Sequence, residues 1–137
     1  MTRTSRNKVL IISQEFDPHV DYMVGLLEHL GVGCIRWVTS LFPLRSSLSL
    51  RISNGSVEGS FRINGKETSL HEIRSVWYRH RAPFVVSPNL SREEKIFAAA
   101  EAREAFFGLM QMDDWFWVNH PDKDRIASSK NLSVNKL

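Results

Sequence analysis

The sequence predicts an α/β fold, a Rossmann-like, doubly wound and mostly parallel sheet that carries an antiparallel hairpin insertion. Three observations lead to this fold class. Short apolar runs at residues 8–13 and 33–39 flank a helical pattern, which is the arrangement of a βαβ unit. Residues 48–63 alternate apolar and polar side chains around an Asn-Gly turn, which indicates an antiparallel hairpin. A further apolar run, at residues 75–78, leads into basic side chains and a proline.

The composition is that of one globular domain. The chain has 137 residues, of which 42% are hydrophobic and 24% charged, and this length fits one hydrophobic core. Three of its 18 Lys and Arg residues lie within the first eight positions, so the rest of the chain is neutral against its 15 Asp and Glu residues. A neutral body does not favour a nucleic-acid partner. The one cysteine and the lack of any apolar run near the ~20 residues of a membrane span predict a cytoplasmic protein without membrane contact.

The first βαβ unit can be followed residue by residue. Residues 8–13 form a continuous apolar run, typical of a buried parallel strand. Asp17 is a good N-cap, Pro18 a good first helical residue, and Gly31 fits the position just after the helix. The turn between strand and helix contains no G-x-G-x-x-G motif, and the chain contains no G-x-x-x-x-G-K-[ST] motif. A dinucleotide-binding Rossmann domain or a P-loop NTPase is therefore not expected.

The middle of the chain contains the predicted insertion and the central strand. Asn54-Gly55 supplies a type I′ hairpin turn, and a second Asn-Gly pair at residues 64–65 indicates another tight turn. The insertion is expected to extend or flank the main sheet. Ser69 opens a capping box and one helical turn, which leads into the central strand at residue 75.

The last third of the chain is predicted to contain a long helix, a short strand and a final helix. A capping box at Ser91 begins a helix that runs to about residue 112, and residues 115–118 form a buried strand. The final helix begins near Pro121, extends to residue 137 and is expected to lead into a further region. Residues 1–7 are expected to be a disordered basic arm and residues 8–120 the α/β domain. The stripe expected to face the core on the long helix consists of Ile96, Ala100, Phe107 and Met110, widened by Phe97, Phe106 and Leu109.

The candidate site lies at the end of the central strand. Arg79 and Arg81 follow this strand, and ligands of open α/β sheets bind beside the carboxyl ends of the strands. A guanidinium group suits a phosphate or a carboxylate of a ligand, and equally an acidic side chain of a neighbouring lobe. His19 and His120 also lie near predicted strand ends, although a structural role is the simpler interpretation for both. Asn119 is predicted to cap the final helix.

Three motifs in a fixed order resemble those of one protein family. The strand end WYRHR at residues 77–81 is followed by the long helix after Ser91, and then by WVNHPD at residues 117–122 with an Ala-Ser-Ser-Lys segment behind it. Together with the opening VLIISQEF, this order resembles the N-terminal pre-ATP-grasp domain of ATP-grasp peptide maturases, the microviridin-type (graspetide) synthetases. The resemblance extends over residues 8–137. One departure is the serine before Lys130, where the family has an asparagine.

The resemblance implies a structural or substrate-cleft domain of a ligase that cyclises or crosslinks a ribosomal precursor peptide through side-chain ester or amide bonds. It implies ATP and Mg²⁺ in the ATP-grasp lobes of the same chain and no cofactor in this segment, which alone is expected to be inactive. The other implied partners are the precursor peptide and, in a homodimer, a second copy of the chain. A free-standing α/β binding module without catalysis is the alternative. The residues expected to contact substrate or lobe are Trp77, Arg79, Arg81, Asp17, Asn119, His120 and Lys130.

Overall fold

A computed structural model describes residues 6–79, 83–111 and 114–120 of the chain. Residues 1–5 of the predicted basic arm and all of the predicted final helix, residues 121–137, lie outside the described residues. The described residues form seven strands, two α-helices and two short 3-10 helices, the latter at Thr39–Leu41 and Leu70–Glu72. In chain order the strands and α-helices are β1 (Lys8–Ser13), α1 (Pro18–His29), β2 (Cys34–Val38), β3 (Ser46–Ser53), β4 (Ser56–Ile63), β5 (Lys66–Ser69), β6 (Ile73–Tyr78), α2 (Arg92–Leu109) and β7 (Phe116–Val118).

The main sheet is parallel and has the strand order β2-β1-β6-β7. The chain moves outward from β1 to β2 through α1 and, in the opposite direction, from β6 to β7 through α2. Because such crossovers are right-handed, α1 and α2 belong on opposite faces of the sheet. In agreement, Leu10 and Val76 pack in one core cluster with α2, whereas Ile11 and Val20 are buried outside that cluster. The predicted doubly wound sheet is confirmed, and its switch point lies between β1 and β6.

The predicted insertion forms a sheet of its own, with the strand order β3-β4-β5. Asn54 and Gly55 have φ angles of 50° and 77°, and Asn64 and Gly65 have φ angles of 52° and 75°. Two successive positive φ angles are what a type I′ turn requires, so both Asn-Gly predictions are confirmed. The sequence pattern does not reveal β5, because its residues (KETS) carry no apolar alternation. The antiparallel sheet flanks the main sheet and does not extend it.

The two sheets and α2 meet at one tryptophan. Trp37 of β2 is fully buried, and its ring lies 5.3, 4.9 and 5.6 Å from the ring centroids of Phe42, Phe61 and Phe106. Phe61 belongs to β4 and Phe106 to α2, so one indole touches all three layers. The indole Nε1 donates a hydrogen bond to Ser46 Oγ at 3.4 Å, which satisfies the buried N–H group.

The apolar stripe predicted for α2 is wrong in its first half. Ile96 and Phe97 are 63% and 68% exposed, and Ala100 is exposed as well. The second half agrees with the prediction, since Phe106 and Leu109 are fully buried. The first half turns alanines toward the rest of the protein instead. The inward alanines are Ala98, Ala99 and Ala102.

The strand β7 is not buried as predicted. It lies at the edge of the sheet, and Phe116 and Val118 are 70% and 43% exposed. Its anchor is the preceding residue, Trp115, which is buried and donates from Nε1 to the carbonyl oxygen of Leu70 at 3.3 Å. Composition alone could not distinguish a central from an edge strand, because both can be rich in aromatic residues.

Arg6, which precedes β1, contacts the segments that precede β6 and β7. Its Nε donates to the carbonyl oxygen of His71 at 3.4 Å, and its Nη2 pairs with Asp114 Oδ2 at 3.4 Å.

Neither α1 nor α2, the two α-helices of the described part of the chain, combines the length and the apolar character needed to cross a membrane.

Replacing Trp37 by alanine is expected to lower the free energy of unfolding by about 3–5 kcal/mol, the usual cost of truncating a buried large aromatic side chain. Trp77→Ala is the matched control: it removes the same side chain from β6, but from a position that is only half-buried, so its effect should be clearly smaller. Urea unfolding followed by circular dichroism measures both. Equal losses for the two variants would contradict the central position of Trp37.

Candidate functional site

The carboxyl ends of β1 and β6 bring two of the predicted site residues together. Asp17 follows β1, and Arg79 follows β6, where its backbone N–H continues the parallel ladder by donating to the carbonyl oxygen of Ile12 at 2.9 Å. Arg79 Nε donates to Asp17 Oδ2 at 3.2 Å, and Arg79 Nη2 lies 3.2 Å from His19 Nδ1. We call Asp17, His19 and Arg79 the switch-point cluster, because β1 and β6 are the strands between which the winding of the sheet reverses.

Asp17 is the buried member of this cluster. It is 3% exposed, and its Oδ1 accepts hydrogen bonds from the backbone N–H groups of His19 and Val20 at 3.1 and 3.4 Å, so it caps α1 as predicted. Burial raises the pKa of Asp17. The hydrogen bonds from Val20 and Arg79, together with the positive charge of Arg79, outweigh burial and hold the pKa below its ordinary value. The carboxylate therefore stays ionised and orients the guanidinium.

The accessible side of the cluster is cationic and donor-rich. The side chain of Arg79 is 31% exposed and that of His19 is 77% exposed, whereas that of Asp17 is 4% exposed. Asp17 and His19 thus contact Nε and Nη2 of the guanidinium, and the side chain of Arg79 stays partly exposed. A guanidinium held in this way can bind a carboxylate or phosphate group through paired hydrogen bonds.

A second arginine, which the sequence analysis missed, holds the turn beside the cluster. Arg36 of β2 donates from Nε to Ser13 Oγ at 3.1 Å, and from Nη2 to the carbonyl oxygens of Gln14 and Glu15 at 3.2 and 2.9 Å. Its Nη1 pairs with Asp21 of α1. The available signal was an arginine inside an apolar strand (CIRWV), since such a charge needs several partners when it is half-buried. Arg36 shapes the site without belonging to its accessible side.

The other predicted residues do not join the cluster. Trp77 is half-buried in β6 and pairs in register with Ile11 of β1, on the sheet face opposite the Trp37 core. Asn119 is exposed with φ of 59°, a left-handed conformation that asparagine tolerates, and the helix that it was predicted to cap lies outside the described residues. His120 turns back toward α2, with Nε2 3.2 Å from the carbonyl oxygen of Met110 and its ring 4.7 Å from that of Trp117.

Two predicted site residues, Arg81 and Lys130, lie outside the described residues. Within the described part of the chain, no three His, Cys, Asp or Glu side chains come close enough together to hold a metal ion.

Fold and cluster together define a class of protein: a doubly wound α/β domain with a cationic site at its switch point. The chain belongs to the MvdD pre-ATP grasp domain family, whose model matches residues 8–125. The resemblance carried by the WYRHR and WVNHPD motifs is thereby confirmed.

Three solved structures show the same fold. The chain is 26% identical to a RiPP-associated ATP-grasp ligase from Chryseobacterium gregarium in complex with ADP and a leader and core peptide, with a TM-score of 0.80 over 94% of this chain and 40% of that one. It is 20% identical to macrocyclase MdnC bound with precursor peptide MdnA from Microcystis aeruginosa MRC, with a TM-score of 0.80 over 91% and 41% of the two chains. The chain is 18% identical to macrocyclase MdnB from the same organism, with a TM-score of 0.76 over 83% of this chain and 38% of that one.

The chain therefore spans about two fifths of the length of the solved structures that it matches. A search of the curated proteins finds no match to the chain.

Asp17→Asn is expected to make the stability of the protein less dependent on pH in acid. The folded-state pKa of Asp17 lies below its unfolded value of about 3.9, so ionised Asp17 stabilises the fold above that pH, and this contribution is lost as the pH falls through the folded-state pKa. In the variant, stability should be lower at neutral pH and should fall less steeply between about pH 5 and pH 3. Urea unfolding at a series of pH values measures both effects.

Glu104→Gln is the control for this experiment, because it removes an exposed carboxylate of α2 without touching the cluster. The loss of stability in acid that remains in the Asp17→Asn variant should include a contribution from Glu72. The pKa of Glu72 is lowered mainly by a hydrogen bond from Lys8. A pH profile of Asp17→Asn that runs parallel to that of the wild-type protein would show that Arg79 and the helix cap do not act on Asp17 as described.

Proposed function

We propose that this domain is the N-terminal part of an ATP-dependent ligase that cyclises or crosslinks a ribosomal precursor peptide through side-chain ester or amide bonds. The observation that carries this proposal is membership of the MvdD pre-ATP grasp family over residues 8–125. The 26% identical ligase with ADP and a leader and core peptide supports it, since it pairs this fold with both a nucleotide and a peptide. The partners of the domain are then the ATP-grasp lobes of its own chain and the precursor peptide. A homodimer adds a second copy. The ligase works in the cytoplasm, where ribosomal peptides and ATP are both available.

The task of the domain in this ligase is to form one wall of the substrate cleft. Its switch-point cluster offers Arg79 and His19 to an anionic group, which is either a carboxylate of the peptide or an acidic residue of the adjacent lobe. Asp17 acts as a positioning residue, because it holds the guanidinium from the buried side. Trp77, Asn119, His120, Arg81 and Lys130 are further candidates for contact with the peptide or the lobe.

The site of ATP and Mg²⁺ is proposed to lie in the ATP-grasp lobes and not in this segment. The sequence contains neither phosphate-binding glycine motif, and the described residues hold no metal-ligating group of three. In the proposed ligase, ATP would supply the activation of a carboxylate at the ATP-grasp lobes. The contribution of this segment is to bind and orient the peptide.

Reconstitution of the full-length protein tests the proposed function. The protein is combined with ATP, Mg²⁺ and a synthetic leader-plus-core peptide encoded near its gene, and the product is analysed by mass spectrometry. Formation of each ester or amide bond releases one water, so the expected result is a peptide lighter by one water per bond, only when ATP is present. A peptide that binds but never loses mass would support the alternative, a binding module without catalysis.

Arg79→Ala in the full-length ligase is expected to raise the KM for the precursor peptide about tenfold, which is a loss of about 1.4 kcal/mol of binding. The KM for ATP should stay unchanged, because the cluster is proposed to contact the peptide or the lobe and not the nucleotide. Arg79→Lys should recover part of the loss, since lysine keeps the charge but not the paired donors. Steady-state assays with each substrate varied separately give the two constants.

Arg74→Ala is the matched control, because Arg74 is an exposed arginine near the start of β6, at the other end of the strand from the cluster. Thermal melts of all variants are needed, since Arg79 also bonds Asp17. If the Arg79→Ala ligase folds like the wild type and keeps its KM for the peptide, the switch-point cluster does not line the substrate cleft. The proposed ligase activity would be unaffected by that result.

A further inference from the structure

A groove between α2 and β3 has no role in the site described above. It is open to solvent and has a volume of about 450 Å³. Its helix wall includes Ala98, Ala102 and Ala105, and its opposite wall includes Phe42 and Leu48. The alanine methyl groups leave room for apolar side chains from outside, and Glu101 adds one carboxylate to the same wall.

The strand beside this groove has an unpaired edge. In the described part of the chain β3 pairs with β4 alone, and its two-residue Asn-Gly turn closes on the pair Ser53 and Ser56. That closing pair is hydrogen-bonded, and bonded pairs alternate along an antiparallel ladder, so Leu48 and Leu50 occupy non-bonded positions. Their backbone N–H and C=O groups therefore point away from β4. No backbone group of the described residues bonds to them from the outer side.

An unpaired edge next to an apolar groove fits an extended peptide. The backbone of an added strand would complete the hydrogen bonds of Leu48 and Leu50, and alternate side chains of that strand would enter the groove. A helix could not use the edge in this way, because its own backbone groups are already bonded. Phe97, which is 68% exposed, lies one helical turn before Glu101 of the groove wall.

One end of the groove carries the positive charge of Arg45, since the other arginine there, Arg62, pairs with Glu67. A second depression of about 230 Å³ shares Pro43, Ser46 and Ser47 with the groove, and its other lining residues include Arg45 and Arg62. Arg45 is exposed and has no ion-pair partner among the described residues. An acidic side chain of the added strand would meet a complementary charge at this end.

We propose that the α2–β3 groove binds an extended segment of the precursor peptide as an additional strand on the outer edge of β3. An apolar side chain of the segment lies against the alanines of α2, and an acidic one lies near Arg45. This inference rests on the proposed function, because that function supplies the peptide and requires Asp or Glu side chains in it for bond formation.

Peptide binding to a blocked groove tests the proposal. The probe is the fluorescently labelled leader-plus-core peptide used in the reconstitution, titrated with the full-length protein without ATP and followed by anisotropy. Ala98→Arg fills the groove and is expected to raise the Kd at least about tenfold, equivalent to about 1.4 kcal/mol. Ala100→Arg is the matched control, because it places the same side chain on the same helix at an outward position. Its Kd should equal that of the wild-type protein. An unchanged Kd in an Ala98→Arg protein with a wild-type melting curve would overturn the proposal.

Hydrogen exchange of the wild-type protein gives a second test that no folding defect can obscure. Addition of the same peptide should slow exchange of the Leu48 and Leu50 amides, and unchanged exchange at both would overturn the proposal. Sedimentation tests whether a second copy of the chain occupies the groove instead. If Ala98→Arg converts a dimer to a monomer and leaves the Kd for the peptide unchanged, the groove is an interface between copies and the proposal is wrong.

The two proposals can fail separately. If the peptide binds in the groove but never loses water, the proposed ligase activity is contradicted and the proposed peptide site in the groove is supported. If the Ala98→Arg variant makes product with a wild-type KM for the peptide, the proposed ligase activity is supported and the proposed peptide site in the groove is contradicted.

Discussion

The contact on which the rest of the structure depends is the burial of the Trp37 indole between three layers. The indole packs on Phe61 of the antiparallel sheet and Phe106 of α2, so it sets the position of both relative to the parallel sheet. Side chains alternate along a strand, so the residue before it, Arg36, points to the opposite face and holds the β1–α1 turn. One strand of five residues thereby positions the α2–β3 groove on one side and the backbone beside the switch-point cluster on the other.

The switch-point cluster shows how a buried carboxylate can orient a partly exposed guanidinium. One carboxylate oxygen of Asp17 accepts hydrogen bonds from the start of α1, and the other accepts one from Arg79. The helix and the end of β6 therefore share a single negative charge. The guanidinium is held in place before any partner arrives, which reduces the entropy that binding would otherwise have to overcome. His19 joins the same arrangement through the first turn of the helix that Asp17 caps.

Local signals in the sequence predicted local structure well, and contacts between distant residues less well. Asp17 as a cap and the turns at Asn54 and Asn64 depend on neighbouring residues alone, and all three are confirmed. The contact between Asp17 and Arg79 spans 62 residues, so the sequence could place both at strand ends but could not pair them. The stripe of α2 was misjudged because its run of alanines blurs the 3.6-residue period. The exposure of β7 follows from its place in the strand order, which no window of sequence contains.

The position of the antiparallel sheet in the chain has a consequence for the order of folding. The strands β1 and β6 are neighbours in space, but the residues that pair, such as Leu10 and Val76, lie far apart along the chain. Closing such a long loop is entropically costly, and the pairing of β3 with β4 across a two-residue turn costs far less. Once the hairpin has formed, it shortens the effective length of chain between β2 and β6. We therefore expect the inserted hairpin to form early and the central pair of the parallel sheet, with the switch-point cluster at its end, to be completed late.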